Sequence, residues 1–158
     1  MASPPIVAVR APPVRLAAGG ATQARITLVV ADGYHVQANP ASGEFLIPLR
    51  LDLRGRGGVR ISKPRYPRGR PYRLPGADKD WMTYEGTLEI TVPLEAQESA
   101  PEGERVLRGA LRYQACDGGR CLFPASVPVT LPVSVVTPKG REGFEPSPAG
   151  KSQERTAE

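Results

Sequence analysis

Histidine and tryptophan occur once each in this chain, cysteine and methionine twice, and aromatic residues make up 6% of it. Structural zinc wants four ligands, and two cysteines with one distant histidine do not supply them. Ser42 and Ser62 lie in no Gly-x-Ser-x-Gly context, so the nucleophile elbow of serine hydrolases is missing. Gly55-Arg56-Gly57-Gly58 is glycine-rich but lacks the lysine and the helix of a phosphate-binding loop. No apolar run reaches the roughly eighteen residues that a transmembrane helix needs. Met1-Ala2-Ser3-Pro4-Pro5 opens with neither a basic region nor a continuous apolar one, so no signal peptide is visible. On that ground the chain reads as cytosolic or as a mature fragment with an added Met1. Nowhere does a helical period hold over ten residues.

Glycine (17) and proline (18) are abundant, together more than a fifth of the 158 residues, yet below the level of a wholly disordered chain. The length suits one domain with some tail to spare. The formal charge of +5 is unevenly spread: nine basic residues and one acid, Asp52, lie between Arg50 and Arg73. Such a cluster attracts phosphate or an anionic surface, or is simply a solvated loop and strand face.

Alternation of period two runs through most of the chain. Ala24, Ile26, Leu28 and Val30 share a face, and Phe45, Ile47, Leu49, Leu51 and Leu53 form a second one. Val59 and Ile61 open a short strand. Tyr84, Gly86, Leu88, Ile90, Val92 and Leu94 make a third face, and Leu107, Gly109, Leu111, Tyr113 and Ala115 a fourth. Val127 to Val135 alternates with Pro128 and Pro132, which lack N–H donors, so this strand is expected at a sheet edge. Residues 64–80 carry four prolines and no period, which predicts a long ordered loop. The pattern predicts an all-β protein, an immunoglobulin-like β-sandwich of about seven to eight strands with that irregular loop. Residues 1–21 read as an extension or edge strand, 22–136 as the sandwich, and 137–158 as a disordered tail or linker.

Covalent chemistry rests on Tyr113-Gln114-Ala115-Cys116-Asp117-Gly118-Gly119-Arg120-Cys121-Leu122-Phe123-Pro124. A pair this close is a disulfide, a redox pair or part of a metal site. A bridge here closes a loop of about six residues and contributes roughly 2 kcal/mol, against more than 4 for a long loop. It is a poor staple, but a partner thiolate reaches a small surface loop easily, and strain favours reduction. That tilts the residues toward exchange chemistry, while a non-catalytic immunoglobulin-like binding module with a purely structural turn bridge, and two inert thiols, stay open. Arg120 beside Cys121 favours its thiolate, and Asp117 beside Cys116 opposes ionisation there, which makes Cys121 the expected attacking sulfur. His35, at a strand end, is either a general base or an ordinary packing residue.

The cysteine segment resembles the active-site segment of the N-terminal domain of DsbD thiol:disulfide interchange proteins, in the disulfide bond corrector branch. Asp32-Gly33-Tyr34-His35-Val36-Gln37-Ala38-Asn39-Pro40 and Tyr84-Glu85-Gly86-Thr87-Leu88-Glu89-Ile90 fit that family in order, so the resemblance covers about residues 22–136. Four residues separate the cysteines, one fewer than in the best-known members, and Phe123 stands where many have a proline. The resemblance implies an immunoglobulin-like fold with the pair at one end of the sandwich. It also implies a periplasmic or otherwise extracytoplasmic relay of reducing equivalents. The donor would be a thioredoxin-like partner or a membrane electron-transfer domain, the acceptors other disulfide oxidoreductases. No cofactor, metal or nucleic acid enters that reading. Cys116 and Cys121 match the redox pair, with Cys121 the one that forms the mixed disulfide. Family members cover the pair with an aromatic-bearing cap, for which Tyr66 and Tyr72 in the 64–80 segment are candidates. Tyr113, Asp117 and Arg120 are the other modulating candidates.

Overall fold

A computed structural model of the chain describes residues 5–138, and every helix-or-strand element among them is a strand. In chain order they are β1 (Val7–Arg10), β2 (Val14–Ala17), β3 (Ala21–Val30), β4 (His35–Gln37), β5 (Arg50–Leu53) and β6 (Val59–Ile61). There follow β7 (Arg70–Tyr72), β8 (Trp81–Tyr84), β9 (Thr87–Ala96), β10 (Gly103–Tyr113), β11 (Ala115–Cys116) and β12 (Ala125–Val136). They form three four-stranded sheets, ordered β1-β3-β9-β6, β2-β12-β10-β5 and β11-β4-β8-β7. The fold is all-β and fits an immunoglobulin-like sandwich built on the first two sheets.

Period-two alternation is the cause of that sandwich. Ala24, Ile26, Leu28 and Val30 of β3 and Leu88, Ile90, Val92 and Leu94 of β9 are buried in one cluster with Leu107 and Leu111 of β10 and Val129, Leu131, Val133 and Val135 of β12. Polar neighbours on the same strands face outward, so each strand has one wet and one dry side. Each fully buried Leu or Ile stabilises the fold by about 1.5–3 kcal/mol relative to exposure.

Twelve strands replace the seven or eight expected because several patterns are interrupted. The Phe45–Leu53 face is a strand only at Arg50–Leu53, and Phe45 is 91% exposed. Pro48 lacks a ladder donor, and Leu46 N–H turns back to the Gly43 carbonyl at 3.2 Å. Leu49 N–H then bonds the Gln37 carbonyl at 3.1 Å, so the start of this face serves another sheet. The Tyr84–Leu94 face is divided at Gly86, whose φ of 67° breaks the ladder and sends β8 and β9 to different sheets.

Residues 64–80 are less irregular than their prolines suggest. Arg65 and Thr91 exchange backbone hydrogen bonds of 2.8 and 3.0 Å, and β7 pairs with β8 in the register Arg70↔Thr83 and Tyr72↔Trp81. β12 is a sheet edge over only part of its length, not throughout as its prolines predict. Pro128 and Pro132 fall where β10 alone pairs with it, but Val133–Val136 is covered on its other side by β2, in parallel. That partner comes from the proline-rich start of the chain. β1 edges the first sheet, Pro12-Pro13 separates the two strands, and β2 joins the second. Of the expected tail, residues 139–158 lie outside the described residues.

All nine cations between Arg50 and Arg73 are exposed. Arg50 pairs with Asp52 at 3.2 Å, Arg60 with Glu95 at 3.2 Å and Arg73 with Asp80 at 2.9 Å. Exposed pairs of this kind contribute about 0–1 kcal/mol each, so the cluster adds little to stability.

Candidate functional site

The third sheet lies beyond the ends of the long strands. β4 follows β3, β8 leads into β9, and β11 continues from β10, so the cysteine turn is carried at one end of the sandwich. β11 pairs antiparallel with β4, Ala115 opposite Val36 and Cys116 opposite His35. The chain then turns through Asp117-Gly118-Gly119-Arg120, and Cys121 returns to form a β-bridge with Cys116.

Backbone bonds close this turn, from Asp117 N–H to the Arg120 carbonyl at 2.9 Å and from Leu122 N–H to the Ala115 carbonyl at 2.8 Å. Asp117 completes it, because its Oδ1 accepts from the N–H groups of Gly119 (2.9 Å) and Arg120 (3.0 Å). The Arg120 guanidinium stands 3.9 Å from the same carboxylate. The two N–H bonds, with Arg120 adding to them, hold the Asp117 carboxyl below its ordinary 3.8. A depressed carboxyl stabilises the turn above its ordinary pKa, and that contribution is lost as the pH falls through the lower, folded-state value. In an NMR titration the Asp117 carboxyl therefore inflects below 3.8, and the Gly119 and Arg120 amides shift with it. An inflection at or above that value contradicts the capping role.

Cys116 and Cys121 are joined by a disulfide, their Cα atoms 3.9 Å apart. The two sulfurs are not equivalent. Cys116 is 1% exposed, whereas Cys121 is only partly buried, so an external thiolate has access to one side of the bond. Beneath Cys116, Gln37 is fully buried and its Nε2 donates to Cys116 Sγ at 3.6 Å. His35, opposite Cys116 in the ladder, stacks on Tyr72 with centroids 3.7 Å apart and 15° between the planes. Its Nε2 lies 3.0 Å from the Glu85 carboxylate, while Nδ1 is buried without a hydrogen-bond partner among the described residues.

The sequence-selected residues separate accordingly. Asp117 and Arg120 shape the cysteine turn, and Tyr72, in β7 at the far edge of the same sheet, stacks on the histidine opposite Cys116. Tyr113 is buried at the end of β10, where burial raises its pKa. Tyr66 serves the sandwich instead: its hydroxyl accepts from Leu51 N–H at 2.9 Å, and burial raises its pKa.

Nothing in the sequence singles out Gln37 or Gln114, yet both touch the cysteine segment. Gln114 clamps the rim, its Oε1 accepting from Ile47 N–H at 3.0 Å and its Nε2 donating to the Leu122 carbonyl at 3.3 Å. It thereby joins the loop carrying Phe45 to the segment carrying Phe123, which is 93% exposed. Gln114, Arg120, Cys121, Leu122 and Phe123 line an open depression of about 470 Å³ beside the accessible sulfur. The available signal was position alone: both glutamines flank residues of the cysteine strand pair. A buried amide looks like an exposed one in sequence.

The family model for the N-terminal region of the thiol:disulfide interchange protein DsbD matches residues 4–132. Among solved structures, the N-terminal periplasmic domain of ScsB from Proteus mirabilis aligns with a TM-score of 0.51 and 13% identity, over 79% of this chain and 44% of that one. This chain thus spans less than half the length of that domain, and at such identity the likeness shows the fold. A family 123 glycoside hydrolase from Clostridium perfringens aligns with a TM-score of 0.41 and 10% identity, over 80% of this chain and 23% of that one. No curated protein matches the chain significantly. With both cysteines and nearly all of the sandwich inside the matched 4–132 segment, the chain belongs to the DsbD N-terminal family.

Proposed function

We propose that this domain relays reducing equivalents outside the cytoplasm through the Cys116–Cys121 pair. It takes them from a thioredoxin-like protein or a membrane electron-transfer domain and passes them to acceptor disulfide oxidoreductases. The observation that carries the reading is the asymmetry of the bond, with Cys121 open to a partner and Cys116 1% exposed beneath it. The donor thiolate attacks Cys121 Sγ, and the Cys116–Cys121 bond breaks as the mixed disulfide forms. Its electron pair stays on Cys116 Sγ, which takes up a proton. The donor's second thiolate then attacks the donor sulfur of the mixed disulfide and releases Cys121 as a thiolate. In the second half-cycle Cys121 attacks the acceptor disulfide and Cys116 resolves the product. Phe45 and Phe123, each more than nine-tenths exposed, offer aromatic contacts of the kind that anchor partners.

A shuttle has to stay folded in both redox states, and the short loop makes that possible. Reduction is expected to lower the unfolding free energy by about 2 kcal/mol or less, as loop closure over six residues implies. Urea melts with and without dithiothreitol measure this, and an unfolded reduced domain would sink the relay. The decisive experiment is equilibration of the pair with glutathione. A shuttle has a potential well above about −300 mV, where structural bridges of secreted proteins begin. A value at or below that limit leaves only a structural turn bridge.

A further inference from the structure

We infer that Gln37 is a positioning residue for the exchange reaction, its buried carboxamide serving Cys116 in the disulfide, the thiolate and the thiol. The inference deepens the relay proposed above and rests on Cys116–Cys121 being the exchanging pair. Gln37 lies in β4 at 0% exposure, with Nε2 3.6 Å from Cys116 Sγ. Its Oε1 is also buried and has no hydrogen-bond partner among the described residues. Buried polar atoms are almost always satisfied, so an open acceptor beside a redox-active sulfur calls for a physical reason.

The chemistry of the sulfur supplies one. When the bond to Cys121 breaks, the electron pair collects on a sulfur that water does not reach, where desolvation opposes the charge. The Gln37 N–H already points at that sulfur and stabilises the thiolate as it forms. Once the thiolate takes up a proton, its S–H needs an acceptor, and rotation of the same amide presents Oε1. A carboxamide donates and accepts without titrating, so it follows the cycle at any pH. The charged and titratable neighbours are engaged otherwise. His35 is turned to Glu85 and stacked on Tyr72, Asp117 caps the turn, Arg120 is exposed, and Tyr84 donates its hydroxyl to the Pro67 carbonyl. Tyr113 is buried in the core.

Two measurements on the full chain test this. In a Cys121→Ser background, thiolate absorbance titrates Cys116 directly, and Gln37→Leu is expected to raise its midpoint by about one pH unit. In the chain with both cysteines, the same change slows reduction by dithiothreitol about three- to tenfold, because a leaving thiol of higher pKa departs more slowly. Gln37→Met keeps the side-chain length and replaces the leucine variant if that one fails to fold. Gln37→Glu sets a carboxylate against the same sulfur. Its reduction rate, corrected for reagent thiolate, falls as the pH rises through the carboxyl's titration, a profile that a merely structural role does not produce. A midpoint and a rate within about twofold of the parent in the leucine or methionine variant, with no such profile for glutamate, overturn the role of Gln37. If dithiothreitol does not reduce the parent pair at all, the relay fails and this inference with it. A parent that reduces normally beside unaffected variants removes Gln37 alone.

Discussion

Cys116→Ser is expected to trap a thioredoxin-like partner as a lasting mixed disulfide, and Cys121→Ser to trap almost none. The difference follows from burial. In the first variant the remaining sulfur is the partly exposed Cys121, which attacks a partner disulfide and then has no neighbour to resolve the product. In the second the remaining sulfur is Cys116, which is 1% exposed and lies in a ladder with β4. A thiolate there cannot approach a partner sulfur in line without opening the third sheet. Turnover with any redox partner falls to background in both variants, since each cycle uses both sulfurs. Non-reducing electrophoresis and mass spectrometry read the trapped species. Equal trapping by the two variants would reject the assignment of Cys121 as the attacking sulfur, and trapping by Cys121→Ser alone would reverse it.

Gly109→Ala is expected to destabilise the domain by about 3 kcal/mol, comparable to deleting a buried aliphatic side chain. Gly109 pairs with Leu53 where β5 crosses β10, and a Cβ there runs into the Asp52 carbonyl oxygen and the Leu53 Cα. Both obstacles are backbone atoms, so no rotamer change relieves the contact, and β5 has to move away from the sheet. With it move Leu49 and Leu51, which are 0% and 2% exposed. The loss also reaches the cysteine end, because Leu49 N–H bonds the Gln37 carbonyl and Ile47 N–H bonds Gln114. Thiol accessibility at Cys116 is therefore expected to rise along with the loss of stability. Gly118→Ala is the matched control: a Cβ at Gly118 meets nothing within 4 Å among the described residues, and its melting curve is expected to overlay the parent's. Denaturant melts decide the matter, and equal midpoints for the two variants would show that β5 yields without cost.

Gly109 also marks a limit of reading strands from pattern. Alternation placed it correctly on the inward side of its strand, between Leu107 and Leu111, both 0% exposed. It did not say that a neighbouring backbone passes where the side chain would be. Phe45 fails in the opposite way. Its spacing from Ile47, Leu49 and Leu51 is that of a strand face, yet Pro48 and the turn at Gly43 take it out into solvent. Tyr72 sat in a segment whose prolines masked a three-residue strand, so its stacking on His35 was out of reach of any periodicity.

What the sequence determined by itself was the all-β character, the dry faces of the long strands and the cysteine turn. Each is a local property: side chains alternate with a period of two along one strand, and four residues between two cysteines leave room for little except a turn. The tertiary structure alone decided which sulfur meets water and what lies under the other. Burial depends on strands brought together from far apart in the chain. Gln37 stands 79 residues from the sulfur it touches, and no pattern within either segment records that approach.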